Sequence, residues 1–206
     1  MNENREFFYR RLHSLLGVLP IGIFLIQHLV INHFAAYGSG SFNTAAGFMH
    51  NLPFRFVLEW VVIYIPILYH AILGVYIVLT GKNNTRRYGY FRNLMFLLQR
   101  ITGIVTLIFI AWHVYQTRVI TIFTQETIDF DFMEAILTQP FFFWFYLIGV
   151  ISTTFHFANG LWSFLVTWGI TVSPRSQRIA TYATLLVFLG VTYLGVRSLL
   201  AFGMGV

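Results

Sequence analysis

Residues 12–35 read LHSLLGVLPIGIFLIQHLVINHFA, and the reading of this stretch decides the fold. It exceeds the ~20 residues a helix needs to cross a bilayer, and it holds no Asp, Glu, Lys or Arg. Its interior carries one histidine, His28. A polar ring at that depth is costly, so it faces the bundle interior or a cofactor rather than lipid. Runs of the same character lie at residues 56–80, 94–117, 138–168 and 179–203. The spacing predicts an all-α integral membrane protein: one domain over residues 1–206, a bundle of five transmembrane helices.

Composition agrees. The 206 residues are 57% hydrophobic and 10% charged, with mean hydropathy +0.71, too apolar for a domain with a water-facing surface. There is no cysteine. This excludes disulfides, zinc–thiolate sites, iron–sulfur clusters ligated by this chain and thioether-linked haem, and leaves histidine as the metal ligand. Arg5, Arg10 and Arg11 ahead of the first run imitate a secretory signal, with Phe34-Ala35-Ala36 as its cleavage region. The run is long for the apolar part of a signal and contains Gln27 and His28, so it is read as a retained helix. No repeat or low-complexity tract stands out.

The net charge of +6 reports topology rather than nucleic-acid binding. Arg5, Arg10 and Arg11 precede the first helix. Lys82, Arg86, Arg87, Arg92 and Arg100 surround the second link, and Arg175 and Arg178 lie before the fifth helix. By the positive-inside rule these share the cytoplasmic side with the N-terminus, which puts the C-terminus outside. The longer links, residues 37–53 and 116–138, then lie outside, the latter carrying Glu126, Asp129, Asp131 and Glu134. Pro20 and Pro66 fall inside helices, where each removes a backbone donor and introduces a kink. Trp60, Tyr90 and Trp168 suit interfacial anchors.

His28, His70, His113 and His156 occupy helices one to four, one in each. Counted from the cytoplasmic ends at ~1.5 Å per residue, His28 and His113 lie about 24 and 28 Å up, and His70 and His156 about 15 and 18 Å up. Helices one to four packed in cyclic order would place each depth-matched pair on a diagonal, where a planar macrocycle fits. The fold is therefore read as helices one to four enclosing two b-type haems, His28 with His113 on the outer iron and His70 with His156 on the inner. Two imidazoles per iron leave no open position, which favours electron transfer. Single zinc or copper sites want three or four ligands at one depth. Gly74 and Gly160 follow His70 and His156 by four residues, and Gly17 and Gly149 precede histidines on similar faces. They either admit a haem or let helices approach closely.

The stretches Arg11-Leu12-His13-Ser14-Leu15-Leu16-Gly17, Gln99-Arg100-Ile101-Thr102-Gly103 and Phe155-His156-Phe157-Ala158-Asn159-Gly160-Leu161-Trp162-Ser163 resemble the cytochrome b subunits of Bacillus-type succinate dehydrogenases, and the likeness runs over nearly the whole chain. The resemblance implies a five-helix, dihaem membrane anchor whose ligands match His28, His70, His113 and His156. It implies that the chain is the electron-transfer subunit of a succinate:quinone oxidoreductase of the tricarboxylic acid cycle, in the bacterial cell membrane. There it would anchor a flavoprotein and an iron–sulfur subunit and pass electrons through two haems b to menaquinone. FAD and the clusters would belong to those partners. A fumarate reductase uses the same anchor. Cytochrome b subunits of nitrate reductase, formate dehydrogenase or hydrogenase are the alternative, but there several ligands share a helix.

Gln27, His33, Glu59 and Arg118 cluster in depth near the outer pair and are candidates for quinone binding or proton transfer. Glu59 also suits the first turn of its helix and pairing with Arg55 four residues earlier. At the inner end Arg10, Arg11, His13, Ser14 and Arg100 are candidates for haem propionates, a second quinone site or subunit contacts, although snorkelling explains the arginines as well.

Overall fold

The computed structural model describes residues 3–82, 85 and 87–205; Arg86, counted above among the cytoplasmic cations, lies outside the described residues. Among the described residues, five helices are long and apolar enough to cross a membrane. They are α1 (Arg5–Tyr37), α3 (Arg55–Thr80), α4 (Phe91–Thr124), α6 (Pro140–Thr167) and α7 (Pro174–Met204). Two short helices fill the longer links: α2 (Ser39–His50) and α5 (Phe130–Leu137). Helices are the natural solution in lipid because every backbone polar group is satisfied within its own segment. The exposed faces are accordingly apolar, as with Ile23, Leu68, Ile72, Ile108 and Leu186.

At both prolines the backbone departs locally from regular α-helical geometry. Leu19, before Pro20, stands at φ −80°, ψ −75°. The helix still continues through it, with the Leu19 N–H donating to the Leu15 carbonyl at 2.9 Å and the Ile23 N–H to that of Leu19 at 3.0 Å. Before Pro66 the turns widen over Glu59–Tyr64, so that the Ile65 N–H reaches back to Trp60. A second widened turn spans Tyr115–Val119, where the Ile120 N–H reaches Tyr115. Such one-turn bulges are local distortions of the bonding ladder that recur at functional sites.

Two link expectations are corrected. Helix α4 runs past residue 117 to Thr124 because its polar residues bond inward rather than ending the helix. Thr117 donates to the His113 carbonyl at 2.7 Å and Thr121 to the Thr117 carbonyl at 3.0 Å, the back-bonding open to helical threonines. The link at 37–53 contains α2, whose glycines and polar residues hide its one firm anchor. Phe42 is buried there with its ring centre 4.9 Å from that of Phe202, edge to face. Helix α5 is N-capped by Asp129, which accepts from the Phe132 N–H at 2.9 Å.

Helices α1, α3, α4 and α6 form a ring in that order, closed by α6 against α1, with α3 and α4 the loosest neighbours. The diagonals therefore join α1 to α4 and α3 to α6. Helix α7 packs outside the ring, against α6 and the second half of α1. There the Thr154 and Thr192 hydroxyls meet at 2.7 Å, and Gly195 admits Val150 and Leu29. The tightest apolar core, built on Phe42, Leu137, Tyr146 and Phe202, lies at the end capped by α2 and α5.

Candidate functional site

The diagonals bring the four histidines together as two pairs. The His28 and His113 ring centres are 5.8 Å apart with planes at 70°, and those of His70 and His156 are 6.1 Å apart at 88°. A metal bound by an imidazole nitrogen on either side, at about 2 Å each, holds two ring centres about 6 Å apart. Both pairs fit that arrangement.

The other ring nitrogen of each histidine tests the fit further. His70 Nδ1 lies 3.0 Å from the His13 carbonyl, and His156 Nδ1 lies 3.0 Å from the Gln99 carbonyl. A backbone carbonyl only accepts, so each Nδ1 carries the proton and each Nε2 is left with its lone pair for a metal. His113 Nδ1 lies 3.3 Å from the Tyr146 hydroxyl, which itself donates to Gln116 Oε1 at 3.1 Å; this selects the same tautomer. His28 is the exception, since its Nε2 lies 3.4 Å from the Asn32 amide, whose stronger bond goes to the His28 carbonyl at 2.8 Å.

Glycines admit these rings. A Cβ on Gly17 would stand 2.5 Å from His70 Cε1, and one on Gly103 2.9 Å from His156 Cε1. In return, Gly74 faces His13, and Gly160 faces the Gln99 amide, each at 3.3 Å from where a Cβ would be. His13 with His70 and Gln99 with His156 are each separated by 57 residues. In each set a glycine follows both members by four, so α4 and α6 repeat the α1 and α3 device. The sequence reading gave Gly103, Gln99, Tyr146 and Asn32 no role at the site, and this fourfold spacing is the signal that marks the first two. Gly149 is filled by the ring of Phe109, which stacks on His113 with centres 5.7 Å apart.

The remaining inner candidates separate. The His13 ring lies parallel to His70, with centres 3.9 Å apart, and its buried Nδ1 has no partner among the described residues. Arg100 donates to the Val78 carbonyl and, at 2.9 Å, to that of Gly81, while Arg11 donates to the Thr167 carbonyl at 3.0 Å. Each thus caps the carbonyl end of a neighbouring helix, where a cation also meets the negative end of the dipole. Arg10 pairs with Glu6 at 2.8 Å.

At the other end, Glu59 Oε2 accepts from Arg118 Nη2 at 2.7 Å, and its Oε1 is 3.2 Å from Arg55 Nε. Both widened turns supply this cluster, one carrying Glu59 and the other Arg118. Arg55 continues to His50 Nδ1 at 2.7 Å. Burial lowers the His50 pKa, and the cations Arg55 and Arg118 lower it further against an opposing pull from Glu59. The neutral ring can then accept from Arg55. Gln27 donates to Met49 Sδ at 2.8 Å. His33 packs between Tyr37 and Tyr193, with ring centres 5.7 and 5.9 Å away.

With this geometry in hand, the comparisons are specific. The family model described as succinate dehydrogenase/fumarate reductase transmembrane subunit matches residues 84–195. The succinate dehydrogenase cytochrome b558 subunit of Bacillus subtilis (strain 168) is 58% identical over 202 residues, covering 98% of this chain and all of the relative.

Proposed function

Because the chain belongs to the succinate dehydrogenase/fumarate reductase transmembrane subunit family, we propose that it is the membrane-anchor cytochrome b subunit of a succinate dehydrogenase. In this reading it carries electrons from the iron–sulfur subunit to menaquinone and holds the catalytic subunits at a bacterial cell membrane, its basic end and N-terminus cytoplasmic. The observation that carries the proposal is the pair of diagonal histidine contacts, each at the spacing of two imidazoles on one metal. His70 and His156 would hold the inner haem b, and His28 and His113 the outer. Bound there, the haems supply one-electron carriers without an open coordination position.

The chain's own residues supply orientation and charge. The His13 and Gln99 carbonyls hold the inner imidazoles in one tautomer, and the Tyr146–Gln116 pair does the same for His113. Gly17 and Gly103 allow those approaches. At the outer end Glu59, held between Arg55 and Arg118, is the carboxylate placed to exchange protons with a quinone. Replacing it, Glu59→Gln, is expected to lower menaquinone reduction by about 100-fold, within the usual range for losing an acid–base group, while both haem bands persist. An unchanged rate would remove Glu59 from the proton path.

The proposal as a whole is tested by purification in mild detergent, with haem quantified by reduced-minus-oxidised spectra and co-purifying subunits identified. Two haems b per chain, together with a flavoprotein and an iron–sulfur protein, are the expected result. A preparation lacking b-type bands would overturn it.

A further inference from the structure

Between the first turns of α4 and α7 and the last turns of α6 lies a groove of about 540 Å³, lined among others by Arg92, Trp162, Gln177, Arg178, Tyr182 and Leu185. Arg92 is fixed in place, its guanidinium 3.6 Å above the Trp162 ring and donating to the Thr181 hydroxyl. The walls are fixed as well, since Trp162 Nε1 donates to the Gln177 carbonyl at 3.2 Å and Thr181 donates to the same carbonyl at 2.8 Å. Arg178 is exposed at the rim.

Among the described residues, no carboxylate pairs with the arginines of the groove. No Asp or Glu occurs between Glu59 and Glu126 or after Glu134. Among the described residues the acid–base pairs are Arg10–Glu6, Arg55–Glu59 and Arg118–Glu59. Two arginines from different helices therefore converge on one groove with no carboxylate paired to them among the described residues.

The shape of the groove says what the anion is attached to. It runs from the arginines along α7 past Tyr182 to Leu185, both exposed, and α7 continues beyond it with the exposed Leu186 and Leu189. Leu185 stands about 16 Å along the helix from Pro174 at the rise of an α-helix. That lies inside the apolar layer, below the reach of a protein docking at the membrane surface but along the path of an acyl chain. Basic pockets between helices at the membrane boundary suit anionic head groups.

We propose that this groove binds an anionic glycerophospholipid, its phosphate between Arg92 and Arg178 and an acyl chain along Tyr182 and Leu185. The site is independent of the histidine pairs and does not rest on the functional reading above.

The test uses the complex purified in mild detergent and stripped of lipid by detergent exchange. Phosphatidylglycerol, phosphatidylcholine and inorganic phosphate are titrated separately, and bound lipid is counted by native mass spectrometry. Phosphatidylglycerol is expected to bind in preference to phosphatidylcholine. Arg178→Gln is expected to weaken phosphatidylglycerol by about fivefold, and the double change with Arg92→Gln by about fivefold more, with phosphatidylcholine unaffected. Arg178 is exposed, so its variant keeps the fold, which circular dichroism checks. Equal phosphatidylglycerol affinity in wild type and Arg178→Gln overturns the proposal. So does competition by inorganic phosphate at concentrations equal to the lipid's. Loss of the soluble subunits from Arg178→Gln with lipid binding intact would make the groove a protein contact instead.

Discussion

His70→Ala is expected to halve the haem b content of the purified complex, removing one set of b-type bands and leaving the other. His70 is the α3 member of the inner pair, 6.1 Å ring to ring from His156 on α6 and anchored through Nδ1 to the His13 carbonyl at 3.0 Å. Without it, the Nε2 of His156 has no imidazole opposite. The His28–His113 pair joins the other diagonal and loses nothing, so its bands persist. His13→Ala is the informative companion. Its ring is the nearest to His70, parallel with centres 3.9 Å apart, yet only its backbone carbonyl is used. Parallel stacking at that distance leaves no room for a metal between the rings. His13→Ala is therefore expected to keep both haems. If His13→Ala removed a haem and His70→Ala did not, the inner ligands would have to be reassigned.

Gly17→Ala is expected to damage the same level from the opposite side without touching a histidine. Its new Cβ would stand 2.5 Å from His70 Cε1 and 2.8 Å from Nδ1, so the ring or helix α1 has to move. Overpacking of this kind costs about 1–3 kcal/mol. Pushing Nδ1 off the His13 carbonyl leaves a buried N–H unpaired, at about 1–3 kcal/mol more. The expected outcome is a lower thermal stability together with weakened or lost inner-haem bands, read on the same purified sample. Gly103→Ala should act in the same direction but less strongly, since its Cβ would lie 2.9 Å from His156 Cε1 and 3.2 Å from Nδ1. Gly190 is the control, because a Cβ there meets nothing within 4 Å; Gly190→Ala should leave both haems and the stability as they are. Equal behaviour of Gly17→Ala and Gly190→Ala would mean that close approach at Gly17 does not hold the histidine.

Much of this was legible along the chain, and the reasons differ from one feature to the next. The depth of each histidine follows from counting residues at a constant helical rise, so the pairing of His28 with His113 and of His70 with His156 needed only the spans and their directions. The pairing of Glu59 with Arg55 is local, four residues along one helix, and appears as expected at 3.2 Å. The stronger contact with Arg118, at 2.7 Å, crosses between α3 and α4 and depends on two widened turns that no hydrophobic period announces. The placements of Gln27 on Met49 and of His33 between tyrosines also follow from helices that meet in space. Depth alone had grouped these residues with Glu59 near the outer pair.

The residues 12–35 and their four counterparts determined by themselves that the chain has five spans of membrane-crossing length, with His28, His70, His113 and His156 deep inside the first four, one to each. Lipid offers no hydrogen bonds, so length and apolarity leave the backbone little choice but the helix. Only the tertiary structure decided which atoms hold those histidines. The carbonyls of His13 and Gln99, the glycines that let the imidazoles reach them and the hydroxyl of Tyr146 act across helix boundaries. Such contacts depend on the rotation and approach of neighbouring helices, which side-chain packing sets.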